Sequence, residues 1–105
     1  MLVVLYRWRV DPAKEDLFLD NWRTITEHYI EACGGLGSRL HRGSDGIFYG
    51  YAQWPDSETK ERAVLDVRME LARLHMRDAV TETFPQIHMS PVADHLMLAS
   101  ASASA

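Results

Sequence analysis

The segment from Cys33 to Trp54 constrains the fold of this chain more than any other. It begins with the glycine pair Gly34-Gly35, continues as one extended run, turns at Ser44-Asp45-Gly46 and returns as an aromatic-rich run. Glycine and aspartate favour the tight turn of a β-hairpin. The returning strand is apolar on both faces, whereas a sheet covered by helices on one side needs only one apolar face. The sequence therefore predicts a second cover for this sheet, and the simplest candidate is a second copy of the chain.

A strand pattern and a helical pattern precede the hairpin. Leu2 to Val10 predicts a strand rich in β-branched and aromatic residues. Asp11-Pro12 predicts the end of that strand and the start of a helix, because aspartate caps free amides and proline is tolerated in the first turn. Apolar residues recur at spacings of three and four along the helix. They define its predicted buried stripe as Phe18, Trp22, Ile25, Tyr29 and Ala32 or Cys33.

A second helical pattern follows the hairpin. Pro55 closes the hairpin, and Asp56 or Ser57 is the expected cap of the next helix. We expect this helix to end before Phe84-Pro85, because proline disfavours helical backbone at the preceding residue. Its predicted buried stripe contains Ala63 or Val64, Val67, Leu71 and Leu74.

The end of the chain reads as a strand and a short tail. Gln86 to Leu98 is the predicted last strand, and the alternating Ala/Ser tail at 99–105 has nothing to bury. Residues 1–98 are therefore one predicted domain. Two right-handed β-α-β units joined by the hairpin give the order β-α-β-β-α-β. This order predicts a ferredoxin-like α+β fold, with a four-stranded antiparallel sheet and two helices on one face.

Composition excludes several classes of partner. The 105 residues carry a net charge of −4 with acidic and basic side chains interspersed, so no basic stripe predicts nucleic-acid binding. The apolar run Leu2 to Tyr6 is too short for a signal peptide, and no long apolar segment predicts a membrane span. The lone Cys33 excludes an internal disulfide and favours a reducing cytoplasm. The histidines at 28, 41, 75, 88 and 95 include no helical i, i+4 pair, so no metal site is expected.

Four motifs carry a resemblance to a known family. They read W-R-V-D-P at Trp8 to Pro12, F-L-D-N-W at Phe18 to Trp22, G-S-R-L-H-R at Gly37 to Arg42, and Y-A-Q-W-P at Tyr51 to Pro55. In these motifs the chain resembles the antibiotic biosynthesis monooxygenase family of dimeric α+β barrels, and the resemblance covers about the first two thirds of the sequence.

The resemblance implies an assembly and a range of activities. It implies a homodimer in which two sheets pack face to face, with a pocket between sheet and helices in each subunit. Some members of the family oxidise polycyclic phenols with dioxygen and no metal or flavin, others degrade haem, and many have no assigned reaction. The leading expectation is thus a cofactor-independent monooxygenase acting on an aromatic or polyketide-like molecule. The alternative is a non-catalytic dimeric module that binds a small hydrophobic ligand or serves a stress response, because fold alone does not select a reaction.

Cofactor-free oxygenation needs a dry aromatic pocket and polar groups that stabilise negative charge. Asn21 is a candidate donor to a substrate oxygen and Trp22 a candidate wall, while the alternative is an exposed amide and a core indole. Arg39 and His41 lie two residues apart on one strand face. As a pair they would hold an oxyanion and move a proton, while the alternative is an exposed edge pair with no function. The expected substrate pocket is lined by Tyr6, Trp8 and Trp54.

His75 is the fifth candidate catalytic residue. It follows Leu74 and is expected to face inward, and it is the nearest match to the axial histidine of the haem-degrading members. Those members carry an asparagine on the first strand, where this chain has Tyr6-Arg7-Trp8-Arg9, and a helical tryptophan that Lys60 to Val64 lacks. Haem degradation is therefore the weakest of the three hypotheses, and no cofactor is expected.

Two arginines of the first strand need partners. Arg7 and Arg9 would project away from the helices into the barrel, and an unpaired buried charge is costly. Asp94 on the predicted last strand is the candidate acidic partner.

Overall fold

The computed structural model describes residues 1–97, which form five strands and three helices. Leu98 and the tail at 99–105 lie outside the described residues. The elements are, in chain order, β1 Leu2–Val10, a 3₁₀ turn Pro12–Lys14, α1 Glu15–Cys33, β2 Gly37–Arg42, β3 Phe48–Trp54, α2 Ser57–Arg62, α3 Val67–Asp78, β4 Val80–Thr83 and β5 Ile87–Met89.

The strands form one antiparallel sheet in the order β2-β3-β1-β4, and β5 also pairs with β1. This order confirms the predicted ferredoxin-like α+β fold. The last strand predicted over Gln86 to Leu98 is confirmed only at Ile87–Met89, and the prediction missed β4 before it. β4 pairs with the end of β1 and β5 pairs with its beginning. Pro85 lies between the two short strands, where its missing amide hydrogen prevents a continuous ladder.

Local signals at both ends of α1 explain why its prediction is confirmed. The carboxylate of Asp11 accepts a hydrogen bond from the amide of Ala13 at 3.0 Å, and Pro12 opens the 3₁₀ turn that leads into the helix. Gly34 ends the helix with a φ of +78°, a left-handed conformation that favours glycine.

The second predicted helix is two helices, and its predicted buried stripe is wrong. α2 stops at Arg62, and α3 starts after Asp66, whose carboxylate accepts from the amide of Met69 at 2.9 Å. Restarting the helix at Asp66 changes which residues face inward. Met69 and Ala72 are buried, with Met76 packed on the core, whereas four apolar residues of the predicted stripe are exposed: Val64, Val67, Leu71 and Leu74.

The core lies between the helices and one face of the sheet. Phe18 of α1 is fully buried, and its ring meets the rings of Trp8 and Phe48 edge to face at 5.3 and 5.5 Å. Ala79, between α3 and β4, is also fully buried against this cluster. The aromatic rings of β1, β3 and α1 therefore fix how the helix sits on the sheet.

The other face of the sheet is open and carries Arg7 and Arg9. Arg9 pairs with Glu82 at 3.1 Å. The guanidinium groups of Arg7 and Arg9 both lie over the ring of Phe84. Arg7 donates to the carbonyl of Pro85 at 3.1 Å, while its Nε is buried with no partner among the described residues. The prediction that Asp94 pairs with these arginines is wrong: Arg9 pairs with Glu82, no ion pair within residues 1–97 contains Asp94, and the Asp94 carboxylate accepts from the amide of Leu96. Over residues 1–97, no helix is both long and apolar enough to cross a membrane.

Candidate active site

A cavity of about 430 Å³ lies between the sheet and the helices. This volume is in the range of small-molecule binding sites. Strand alternation turns Tyr6 and Trp8 of β1 and Trp54 of β3 toward it, and α1 contributes Trp22 and Tyr29. All three tryptophans of the chain line this cavity. Five large aromatic side chains of the sheet and α1 therefore form part of its wall.

Direct ring contacts hold the aromatic wall in place. Tyr6 and Trp8 stack with their centroids 5.6 Å apart and their planes parallel within 1°. Trp54 meets Tyr29 edge to face at 5.4 Å, which connects β3 to α1. A Cβ atom on Gly50 would lie 3.0 Å from the indole of Trp8, so glycine is needed for the ring to lie close to β3.

The two tyrosines of the cavity are neutral hydrogen-bond donors. Burial raises the pKa of Tyr6 to about 12, with a smaller contribution from Tyr29, while the nearby Arg73 opposes the shift. Burial also raises the pKa of Tyr29, and Arg73 again opposes. Both phenols therefore keep their protons at neutral pH. They can donate to a ligand oxygen but cannot serve as bases there.

The raised pKa of Tyr6 predicts a loss of stability at alkaline pH. Between the ordinary value of 10.0 and about 12, the folded protein keeps a proton that the unfolded chain releases. The free energy of unfolding then falls by about 1.4 kcal/mol per pH unit in this window. Because the unfolded phenol is only half ionised at pH 10, we expect Tyr6→Phe to lose about 1 kcal/mol less than wild type between about pH 10 and pH 11 in urea unfolding. Equal losses in the two proteins would contradict the burial of this phenol.

The cavity lining contains no carboxylate and no histidine among the residues that the structure describes. His28, for example, lies on α1 with its Nε2 3.1 Å from the carbonyl oxygen of Val64. No group of three or more His, Cys, Asp and Glu side chains within residues 1–97 is arranged to hold a metal ion.

Four of the predicted site residues meet in the cavity: Tyr6, Trp8, Trp22 and Trp54. Asn21 directly precedes Trp22 in the sequence but does not line the cavity. Its amide donates to the carbonyl of Leu17, one turn earlier, at 2.8 Å. This bond within α1 uses the donor that was expected to meet a substrate.

Arg39 and His41 are exposed on the open face of the sheet, away from the cavity. They pair in register with Tyr51 and Tyr49 of β3. Both also border a second, more open groove of about 440 Å³, and Trp22 of α1 lines this groove too. The structure therefore keeps the pair together but separates it from the aromatic cavity.

The expectation that His75 faces inward is wrong. His75 is exposed on α3, and the cavity is lined instead by Arg73 and Met76 of that helix. The restart of α3 at Asp66 sets this phase. The same phase brings Arg77 into the lining, and α2 adds Lys60. Sequence reasoning missed these cations, for which the only signal is the spacing of Arg73 and Arg77 by one helical turn.

Comparison with solved structures finds the same fold in proteins of low sequence identity. A structure named antibiotic biosynthesis monooxygenase matches with a TM-score of 0.72 and 18% identity, over 89% of this chain and 100% of that one. SnoaB from Streptomyces nogalater, named as a cofactor-independent oxygenase and solved as a mutant, matches with a TM-score of 0.73 and 16% identity, over 90% and 95%. A conserved protein from Methanosarcina mazei matches with a TM-score of 0.70 and 13% identity, over 84% and 89%.

The sequence comparisons give no further relative, since no family model and no curated protein matches the chain. The structural matches nevertheless agree with the fold that the four motifs predicted. The chain therefore has the fold of the antibiotic biosynthesis monooxygenases.

Proposed function

We propose that the protein is a cofactor-independent monooxygenase of the antibiotic biosynthesis monooxygenase family, acting on an aromatic or polyketide-like small molecule. The observation that carries the proposal is the cavity of about 430 Å³, whose wall includes three tryptophans and two tyrosines. Flat aromatic walls suit a flat polycyclic ligand, because stacked and edge-to-face ring contacts add to the burial of apolar area. The shared fold with a protein named as a cofactor-independent oxygenase supports the same conclusion.

The proposed reaction uses dioxygen as its only oxidant. The anion of an anthrone-type phenol gives one electron to dioxygen, and the two radicals combine at the central ring carbon to form a peroxide anion, which takes a proton from water and becomes a hydroperoxide. Loss of the remaining proton on that carbon then breaks the O–O bond. One oxygen atom stays as the new ketone, and the other leaves as hydroxide and becomes water. The substrate supplies every electron, so the protein has only to bind, orient and shelter it.

Tyr6 and Tyr29 supply hydrogen-bond donors for this chemistry. Negative charge develops first on the substrate oxygen and then on the peroxide. Neutral phenols held in the cavity wall stabilise such charge more than water does, because they are already oriented when the charge appears. The raised pKa values of both residues keep them in the donating form.

The proposed assembly is a homodimer in which a second copy covers the open face of the sheet. This face carries Leu5 and Arg7 of β1, Tyr49 and Tyr51 of β3, and Ile87 of β5. Tyrosine suits such a surface, because it contributes apolar area and keeps a polar tip for an interface partner. Of these residues only Arg7 also lines the cavity, which lies mainly between the sheet and the helices, so each subunit would keep its own cavity.

Two other functions fit the residues of the cavity less well. A non-catalytic binding module is favoured by one observation, that neither a carboxylate nor a histidine lines the cavity. Haem does not fit, because the described lining offers no histidine as an axial ligand and His75 is exposed. We therefore derive no reaction through haem.

The proposal is tested by following oxygen uptake with an anthrone in three proteins. Wild type should consume one dioxygen for each quinone formed. Ala52 lies in the lining, so Ala52→Phe should fill part of the cavity and lower kcat/KM by about tenfold or more. The matched control is Ala32→Phe, because Ala32 is exposed on α1. Wild-type uptake at the rate of anthrone in buffer alone would favour the binding module, provided that the anthrone quenches tryptophan fluorescence.

A further inference from the structure

The cavity differs in charge from the rest of the chain. Acidic residues outnumber basic ones by 15 to 11 in the sequence. In the described lining the balance is reversed: it contains no aspartate or glutamate but four cations, which are Arg7, Lys60, Arg73 and Arg77. The cavity of an acidic protein thus has a positively charged lining.

These four cations have no carboxylate partner within residues 1–97. The five ion pairs in this part of the chain use other bases, namely Arg9, Lys14, Arg23, Arg42 and Arg62. Arg73 and Arg77 lie one helical turn apart on α3, where two like charges repel. An anion between them would remove this repulsion, because it attracts both guanidinium groups.

Arg73 lies where its charge acts on the hydroxyl ends of both cavity tyrosines. Its charge lowers the pKa of both tyrosines against the effect of burial, whereas Cys33 and Glu70, which lie outside the lining, raise the pKa of Tyr29. One guanidinium group and two phenol donors therefore line the same cavity. Such a set matches an oxygen anion, which accepts several hydrogen bonds, better than it matches a neutral group.

We propose that the cavity selects aromatic oxyanions, a carboxylate or phenolate on a fused ring system, over neutral aromatics of the same shape. Arg73 is the main anion contact, with Lys60 and Arg77 beside it. The proposal rests on the proposed function only in taking this cavity as the ligand site. It also explains how a phenol could react without a base in the lining. Cations that bind the phenolate lower the pKa of the bound phenol, so its proton goes to water.

The test compares the binding of two ligands that differ in charge and not in ring shape. The probes are 2-naphthoate and 2-naphthamide, titrated under anaerobic conditions so that no oxidation contributes. Binding is followed by tryptophan fluorescence, because every tryptophan of the chain lines the cavity. We expect 2-naphthoate to bind about tenfold more tightly than 2-naphthamide, and added salt to weaken only the naphthoate.

Two variants of α3 separate a local contact from the general charge of the protein. Arg73→Gln should weaken 2-naphthoate binding by about tenfold and leave 2-naphthamide binding within about twofold. The unchanged amide binding also reports an intact fold. Arg68→Gln is the matched control, because Arg68 is exposed on the same helix and outside the lining. It should change neither affinity.

Each other outcome overturns a stated part of the proposal. Equal affinities of wild type for the two ligands would overturn the charge preference and leave the oxygenase proposal standing. An equal effect of Arg68→Gln and Arg73→Gln would overturn the role of Arg73. Absence of binding by both ligands would overturn both the charge preference and the assignment of this cavity as the ligand site.

Discussion

Phe18→Ala is expected to lower the free energy of unfolding by about 3 to 5 kcal/mol. Phe18 is fully buried and holds α1 against both central strands through its contacts with Trp8 and Phe48. Removing the ring deletes apolar contact area and leaves a void that rigid aromatic neighbours cannot fill. This cost is a large part of the stability of an ordinary domain. Urea unfolding followed by circular dichroism measures it.

Leu74→Ala is the control for this prediction. Leu74 was expected in the buried stripe of the second helix, but it is 55% exposed. Its truncation should change the free energy of unfolding by no more than about 0.5 kcal/mol. A cost for Leu74→Ala equal to that for Phe18→Ala would show that the helix packs through the face predicted from its sequence. The position of α3 would then be wrong.

The first helix and the hairpin were predictable because their signals are local. Asp11-Pro12 and Gly34 mark the two ends of α1, and its apolar spacing selects the face that carries Phe18 and Ile25. The turn before β3 contains Gly46, which adopts a φ of +80° that only a glycine takes easily. Such residues determine backbone conformation without help from distant contacts.

The second half of the chain was harder to predict because one interruption has no strong break signal and the signal of the other was assigned to a different element. No glycine or proline separates α2 from α3, so Ala63, Val67 and Leu71 read as one continuous stripe. The restart depends on the cap at Asp66, which looks like an ordinary surface residue in the sequence. Pro85 does mark the break between β4 and β5, but it was read as the end of a helix.

The part of the site that could be predicted is the part that does not depend on the start of α3. Tyr6, Trp8, Trp22 and Trp54 depend on strand alternation and on the face of α1, and all four line the cavity. The cations of the lining depend on where α3 restarts, so periodicity alone does not reveal them. The exposed position of His75 has the same cause.

Ile87→Lys is expected to convert a dimer into monomers and to raise the dissociation constant by about a hundredfold or more. Ile87 lies on an edge strand and is 41% exposed on the open face of the sheet. A lysine there remains in water when the subunit is alone. In the proposed dimer its ammonium group would be buried against apolar and aromatic side chains. Sedimentation velocity across a range of concentrations measures the change.

Leu71→Lys is the matched control, because Leu71 is 54% exposed on the outer face of α3. We expect this variant to remain dimeric and as stable as wild type within about 0.5 kcal/mol. Dissociation by Leu71→Lys with no effect of Ile87→Lys would place the interface on the helices. A monomeric wild-type protein at micromolar concentration would exclude the dimer altogether.

The claim that oxygen chemistry takes place under the helices is tested most directly with isotopically labelled dioxygen. Anthrone is oxidised in labelled gas and ordinary water, and the quinone is analysed by mass spectrometry against time. Wild type should add one labelled oxygen atom to each quinone, at a rate about tenfold or more above that of Ala52→Phe. Equal rates in the wild type, Ala52→Phe and protein-free samples would contradict the claim, as would a new ketone oxygen that comes from water.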